Sequence, residues 1–302
     1  MFVATNYRAT TCGRGRSGHY NTSENTQTND SESDEQQMAP PRTIRSEKIG
    51  KVTFDLVEQD GRFFGLANRK RVSEETDRDE AWRVLLHSVG EAMGRYVGMD
   101  GAKKLFLHYY PSGFHSDAFS ERPYKIKAKQ SLEKSSSLQK ALVGDADPET
   151  VLSAFRSTNM LFSIEQARVQ EVLRSVEAKS FIQAASCFAE GDRTKSLREL
   201  DRILSPFQAN KWTIVTYLPF LWKPSEHMFL KPEATKDFAE RVGHRFANVY
   251  RPELDARVYE TLLALTDTVK SNLADLQPRD NIDVQSFIWV VSGSYDGEQP
   301  RT

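Results

Sequence analysis

Apolar residues recur at helical spacing over much of the chain. The longest example lies in the segment 254–276, where the apolar positions follow one another at steps of three or four: Leu254, Val258, Leu262, Leu265, Val269, Leu273 and Leu276. Because an α-helix has 3.6 residues per turn, this spacing places all of them on one face. The same periodicity predicts helices over residues 76–97, 162–188 and 193–204.

A different pattern, the alternation of apolar and polar residues, covers KVTFDLVEQDGRFFGLANRKRV at 51–72. Asp60-Gly61 lies at its centre, and this dipeptide favours the two-residue turn of a β-hairpin. Together the two patterns predict an α+β fold that is mainly α. We expect a single helical domain with a small N-terminal β-hairpin, preceded by a disordered tail.

The expected domain limits follow changes in composition. Residues 1–45 are polar, with few large aliphatic side chains, and predict a disordered tail. The tail contains GRGRSG at 13–18, which matches the dinucleotide fingerprint but lacks the strand and helix that such a site requires. Residues 46–293 form the predicted domain, with a candidate sub-boundary at GDADPE, 144–149, and 294–302 form a flexible C-terminus.

Charge and cysteine content narrow the function classes. The 302 residues include 41 Lys plus Arg and 42 Asp plus Glu, a balance that argues against a protein that coats DNA in general. Two cysteines are too few for a disulfide framework, and Cys187 lies in an apolar run that predicts a buried thiol. No apolar run reaches the length of about 20 residues needed to span a bilayer, and no signal peptide is recognisable, so we expect a cytoplasmic protein.

Basic residues form two dense patches in the N-terminal half, and aromatic residues lie between these patches in the sequence. The candidate nucleic-acid-binding residues are Arg69, Lys70, Arg71, Arg122, Lys125, Lys127, Lys129, Tyr110 and Tyr124. Interleaved cations and aromatic rings suit contact with phosphates and stacking on bases. The alternative is a solvated helix face whose charges are balanced by Glu121 and Glu133. Pro123 favours a helix over a strand for the segment that follows it.

A second group of polar residues lies within the aromatic C-terminal block. The weak catalytic candidates are Asp280, Asp283, Gln285, Lys231 and His227. Asp280 and Asp283 are spaced i, i+3 and could hold a divalent cation for phosphodiester hydrolysis, whereas the alternative is a helix N-cap at Asp280 or Asn281. If residues 227–231 form a strand, His227 and Lys231 share one face. The histidines lack metal-ligand spacing, and neither a metal site nor a cofactor is predicted.

The segments HMFLKP at 227–232 and DVQSFIWV at 283–290 resemble the ends of a group of uncharacterised bacterial proteins, some of them associated with restriction or defence. This resemblance implies a prokaryotic cytosolic protein and supplies no catalytic residue. The leading hypothesis is a non-enzymatic binding module that contacts nucleic acid or a protein partner. The alternatives are a metal-dependent phosphodiesterase or nuclease, and an assembly protein that pairs through the helix at 254–276. The oligomeric state stays open.

Overall fold

The computed structural model describes residues 40–49, 51–92 and 95–292 of the chain. Four strands come first: β1 Arg42–Ile49, β2 Val52–Gln59, β3 Arg62–Ala67 and β4 Lys70–Glu75. The helices of the N-terminal half are α1 Arg78–Ala92, α2 Gly98–Tyr109, α3 Pro123–Ser135, α4 Leu138–Leu142, α5 Pro148–Arg156, α6 Ser163–Leu173 and α7 Ala178–Glu190. Those of the C-terminal half are α8 Arg193–Leu204, α9 Trp212–Val215, α10 Tyr217–Trp222, α11 Pro232–Arg241, α12 Phe246–Val249, α13 Ala256–Asn272 and α14 Asn281–Val291. The fold is therefore α+β and mainly α, as predicted.

The strands form an antiparallel sheet in the order β1-β2-β3-β4. Asp60 and Gly61 both have positive φ, 51° and 75°, as the tight turn between β2 and β3 requires. This turn confirms the predicted hairpin. The sheet is larger than predicted, because β1 and β4 extend it on both sides. β1 begins at Arg42, so the last residues of the expected 1–45 tail belong to the sheet.

Helix α1 covers one face of this sheet. Trp82 and Leu85 of α1 are buried against Phe54 and Leu56 of β2 in a small hydrophobic cluster. At Gly65 of β3 an added Cβ atom would lie 2.8 Å from the Cβ atom of Leu85. Glycine at this position therefore allows the helix and the sheet to approach closely.

A second and much larger hydrophobic cluster joins the helices from α2 to α14, running from Ala102 to Val291. Both Ala141 and Val151 belong to this cluster, so the core is continuous across the candidate sub-boundary at 144–149. Helix α14 lies at its centre, because each of its residues is buried except the half-buried Trp289. A helix that is apolar on nearly all sides is expected in such a position.

Several predicted helices differ from the observed ones at their ends. Residues 193–204 form α8 as predicted, and α13 occupies most of 254–276, with the Asp255 side chain accepting a hydrogen bond from the Arg257 N–H at 2.8 Å. The helix predicted over 76–97 is too long, since α1 ends at Ala92 and Gly98 begins α2 with a φ of 75°. The segment 162–188 forms two helices, α6 and α7.

Cys187 was expected to be buried, but it is exposed on α7. The apolar neighbours that suggested burial occupy the other faces of this helix. Two further predictions, the tail over residues 1–39 with its GRGRSG segment and the flexible C-terminus, lie outside the described residues. Within the residues that are described, no helix combines the length and the apolar character that crossing a bilayer demands.

Candidate functional site

Residues 227–230, in the segment between α10 and α11, have no regular secondary structure. Residues 227–230 are all buried, and the strand considered for 227–231 does not form. Side-chain oxygens accept hydrogen bonds from the backbone N–H groups of this segment, as a neighbouring strand would. The Leu230 N–H donates to Thr216 Oγ1 at 3.0 Å, and the Met228 N–H donates to the Tyr259 hydroxyl at 3.2 Å. The segment is thereby held rigidly in the core despite its irregular backbone.

His227 has a structural role. Its Nε2 lies 3.0 Å from the carbonyl oxygen of Ala189, and its Nδ1 lies 3.0 Å from the hydroxyl of Tyr259. A carbonyl only accepts hydrogen bonds, so Nε2 carries the proton and Nδ1 accepts from the tyrosine. Burial lowers the pKa of His227 to about 4. With both nitrogens engaged in the core, this ring does not share a site with Lys231.

Asp280 and Asp283 are both bound by arginines. Asp280 accepts two hydrogen bonds from the Arg122 guanidinium at 2.6 and 2.9 Å, and its Oδ1 also accepts from the Ile282 N–H at 2.9 Å. Asp280 is therefore the N-cap of α14, as the structural alternative predicted. Asp283 is fully buried and accepts hydrogen bonds from the backbone and side chain of Arg279 and from Arg122, at 2.8–3.1 Å.

This arrangement disfavours a metal-binding role for the two aspartates. Burial lowers the pKa of Arg122, but the hydrogen bonds and charges of Asp280 and Asp283 outweigh that effect and raise it overall. The carboxylate oxygens that a cation would need are directed at guanidinium groups, which would repel it. Among the described residues, no group of three or more His, Cys, Asp or Glu side chains is arranged to hold a metal ion.

The basic residues predicted to bind nucleic acid do not form one surface. Pro123 begins α3 as predicted, and the helix directs its lysines to different sides: Lys125 is buried, Lys127 is exposed, and the half-buried Lys129 lies 3.5 Å from the carbonyl oxygen of Trp222. Arg122 belongs to the network with Asp280 and Asp283. The three lysines that alternate in the sequence therefore do not share one face of α3.

The remaining residues of that predicted set lie elsewhere in the fold. Arg69 and Lys70 lie at the β3–β4 turn and the start of β4, where both are exposed. The neighbouring Arg71 pairs with Glu74, and its guanidinium lies 4.4 Å from the ring centre of Phe64. Tyr110 is buried among core phenylalanines, so its ring cannot stack on a base.

Four of the predicted residues, Tyr124, Lys125, Lys231 and Gln285, line one small recess where α3, α14 and the irregular segment come together. The recess has an empty volume of about 260 Å³. We call it the Lys125 recess. It is lined by Tyr124, Lys125, Asn159, Met160, Phe229, Lys231, Gln285 and Trp289. Residues from both regions singled out in the sequence therefore line one site. Gln285 and Trp289 are i, i+4 neighbours on α14, which explains why both reach it.

Lys125 is 1% exposed, which is uncommon for a lysine. Its ammonium group donates to Ser286 Oγ at 2.8 Å and lies 3.4 Å from Oε2 of Glu121, which also accepts from the Tyr124 hydroxyl at 2.9 Å. Burial lowers the pKa of Lys125 to about 8, with the charge of Glu121 opposing this shift and that of Lys231 adding to it. The i, i+4 spacing of Glu121 and Lys125 was the available sequence signal for this buried pair.

Lys231 also lines the recess and lies at the N-cap of α11. Its ammonium group lies 4.0 Å from the ring centre of Trp289 and 5.2 Å from that of Phe162. Burial lowers its pKa, and the charges of Glu165 and Glu121 oppose that shift. No described residue accepts a hydrogen bond from this ammonium group, so its N–H donors remain for a ligand.

Gln285 is the third polar group of the recess. Its side chain is 5% exposed, and Oε1 has no hydrogen-bond partner among the described residues. A buried acceptor without a donor is costly, and native structures contain few of them. Sequence reasoning included Gln285 only as a companion of the aspartates, but the structure separates it from them.

A larger recess, with an empty volume of about 770 Å³, lies between α1 and α2. Its charged lining residues are all exposed: Arg83, Arg95, Asp100 and Lys104. Arg83 is paired with Glu80. Water screens the electrostatic interactions of side chains at such exposed positions. The Lys125 recess is the better candidate because its charged and polar groups are buried, where electrostatic interactions are stronger.

Comparison with known proteins identifies no relative, since no protein-family model, curated protein or solved structure matches the chain. The resemblance of segments 227–232 and 283–290 to bacterial proteins therefore stays a prediction.

Proposed function

We propose that this chain is a non-enzymatic binding protein and that the Lys125 recess takes one anionic group of a protein partner. The observation that carries this proposal is that two lysines, Lys125 and Lys231, line one small recess, close enough for the charge of Lys231 to lower the pKa of Lys125. The charged residues that line it are both cationic. Glu121 and Glu165 lie behind the lining and are engaged by Tyr124 and Lys125 and by Thr213, respectively.

Both lysines retain donors for an anion. Lys125 uses two of its three N–H groups, on Ser286 and Glu121, and one is left. A carboxylate between the two ammonium groups would accept charge-assisted hydrogen bonds from both. It would also compensate part of the desolvation that Lys125 undergoes on burial, because an opposite charge at short range favours the charged form of the lysine.

The size and the surroundings of the recess favour a protein partner over nucleic acid. The recess is small and is lined in part by the large side chains of Phe229 and Trp289, so it suits a single small group. The ammonium group of Lys231 covers the ring of Trp289 at 4.0 Å, which hinders base stacking there. Phe162 beside Lys231 is 62% exposed and offers an apolar contact of the kind found in protein interfaces.

The proposal can be tested with acetate as the simplest carboxylate probe. The protein contains four tryptophans, so 5-fluorotryptophan labelling gives four fluorine resonances, and Trp289→Phe identifies that of Trp289. At constant ionic strength, acetate is expected to shift the Trp289 resonance in a saturable manner. Lys231→Met should weaken this binding by about tenfold or more, because a hydrogen bond to a charged group contributes about 1.5–3 kcal/mol.

Lys129→Met is the matched control, since Lys129 is also half-buried and cationic but lies outside the recess. Acetate should bind this variant with unchanged affinity. Equal losses in the two variants, or no saturable shift in the unmodified protein, would argue against the proposal. A labelled DNA or RNA strand that binds with a steep dependence on salt concentration and competes with acetate would instead favour a nucleic-acid partner.

A further inference from the structure

The unpaired oxygen of Gln285 indicates that the ligand is more than an anion. The Oε1 atom is buried, and Gln285 lines the same recess as Lys125 and Lys231. This oxygen can only accept a hydrogen bond, whereas the ammonium groups can only donate. A ligand that satisfies all three polar groups must therefore carry an N–H or O–H donor close to its negative charge.

Apolar atoms complete the lining of the recess. Met160 and Phe229 are almost fully buried, and Trp289 contributes part of its ring. Asn159, by contrast, is exposed, so the recess opens to solvent at that side. The ligand therefore presents a compact group to the interior and continues outward past Asn159 and Phe162.

From this juxtaposition we infer that the recess captures the C-terminal carboxylate of a peptide, with Lys125 and Lys231 binding the carboxylate and Gln285 Oε1 accepting from the amide N–H of the last residue. A peptide C-terminus places these two groups on the same residue, and the exposed Asn159 side of the recess lets the rest of the peptide continue into solvent. This inference rests on the proposed function and specifies its ligand.

Four small probes separate the contribution of the carboxylate from that of the amide N–H. The fluorine resonance of Trp289 reports their binding at constant ionic strength. N-Acetylglycine has both the carboxylate and the N–H, N-acetylsarcosine replaces the N–H by N–CH₃, N-acetylglycinamide lacks the carboxylate, and acetate lacks the amide. N-Acetylglycine is expected to bind about tenfold more tightly than N-acetylsarcosine and acetate, the order of effect of one hydrogen bond to a buried acceptor. N-Acetylglycinamide is expected not to bind measurably.

Gln285→Met tests whether Oε1 causes the difference, because methionine has a similar length and no strong acceptor. In this variant N-acetylglycine and N-acetylsarcosine should bind with the same affinity, and acetate should bind as it does to the unmodified protein. A preference for N-acetylglycine that persists in Gln285→Met would show that the methyl group is rejected sterically and would overturn the inference. If this variant does not fold, the comparison of N-acetylglycine with acetate on the unmodified protein decides the matter, because neither probe carries the N-methyl group.

The outcomes also distinguish this inference from the proposed function. If no carboxylate probe shifts the Trp289 resonance, both fail. If acetate, N-acetylglycine and N-acetylsarcosine bind equally, or if acetate binds most tightly because the Gln285 amide presents its NH₂ group, the anion site stands and the C-terminal peptide is excluded. Tighter binding of inorganic phosphate than of every carboxylate would likewise replace the peptide with a phosphoryl ligand.

Discussion

At the scale of single residues, the charge of Lys125 should make anion binding depend on pH. Its pKa of about 8 means that about nine-tenths of the molecules carry the charge at pH 7 and about one-tenth at pH 9. Anion binding needs the charged form, so the dissociation constant of acetate should rise by about tenfold between pH 7 and pH 9. Fluorine titrations at several pH values would measure this loss. In Lys125→Met most of the pH dependence should disappear, and a dependence as steep as in the unmodified protein would contradict the role of Lys125.

His227 shows the opposite case, a perturbed residue whose two ring nitrogens are both engaged by core groups. Its pKa is about 4 in the folded state and about 6.5 in an unfolded chain, so the unfolded state binds more protons between these values. Stability is therefore lost as the pH falls through this window, by about 2–3 kcal/mol between pH 7.5 and 4.5. Urea unfolding should show this loss relative to His227→Gln. The same comparison with His115→Gln, at an exposed position, should show no such difference.

At the scale of elements, the start of α14 carries an unusual share of the stabilising interactions. Asp280 caps the helix and also holds Arg122 of the segment before α3, so Asp280→Ala should lower the free energy of unfolding by about 2–4 kcal/mol. Asp192 is the control, because it caps α8 with a hydrogen bond to the Lys195 N–H at 3.2 Å and is exposed. Asp192→Ala should lower the free energy of unfolding by only about 1 kcal/mol. Urea unfolding of both variants would measure these changes. Equal costs would mean that the Arg122 pair adds nothing.

Patterns within one element were the easiest to predict. The spacing of leucines revealed α13, and Asp60-Gly61 revealed the hairpin, because both depend on local geometry. The break between α1 and α2 was missed, since the apolar residues from Trp82 to Val97 continue the helical period through it. The irregular backbone at 227–230 was missed as well, because the hydrogen bonds that hold it come from Thr216 and Tyr259, which are distant in sequence.

At the scale of the whole molecule, the candidate site was predictable only in parts. Lys125, Tyr124, Lys231 and Gln285 were all singled out, but they belonged to two separate hypotheses, one for nucleic acid and one for catalysis. Their convergence depends on long-range contacts such as the hydrogen bond from Lys125 of α3 to Ser286 of α14, which no local pattern encodes. The Arg122 bridge to Asp280 and Asp283 was hidden for the same reason, and it changes the interpretation of the aspartates from metal ligands to structural anchors.

The two hydrophobic clusters suggest that the molecule opens in two stages. Phe54 and Phe220 are equally buried but belong to different clusters, the first to the sheet with α1 and the second to the helices. Phe54→Leu should therefore accelerate amide hydrogen exchange in β2, β3 and α1 by about tenfold and leave α10 and α14 unchanged, because local opening reflects local packing. Phe220→Leu should accelerate exchange in α10 and α14.

Mass spectrometry of exchange in the two variants would measure both effects. Acceleration of α14 by Phe54→Leu to the same degree would show one cooperative unit instead. The distinction matters for binding, because every residue that lines the Lys125 recess lies between Tyr124 and Trp289, in the part of the chain whose core is the helical cluster. Acetate affinity should accordingly survive Phe54→Leu, which loosens the sheet, and fall in Phe220→Leu, which loosens the walls of the recess.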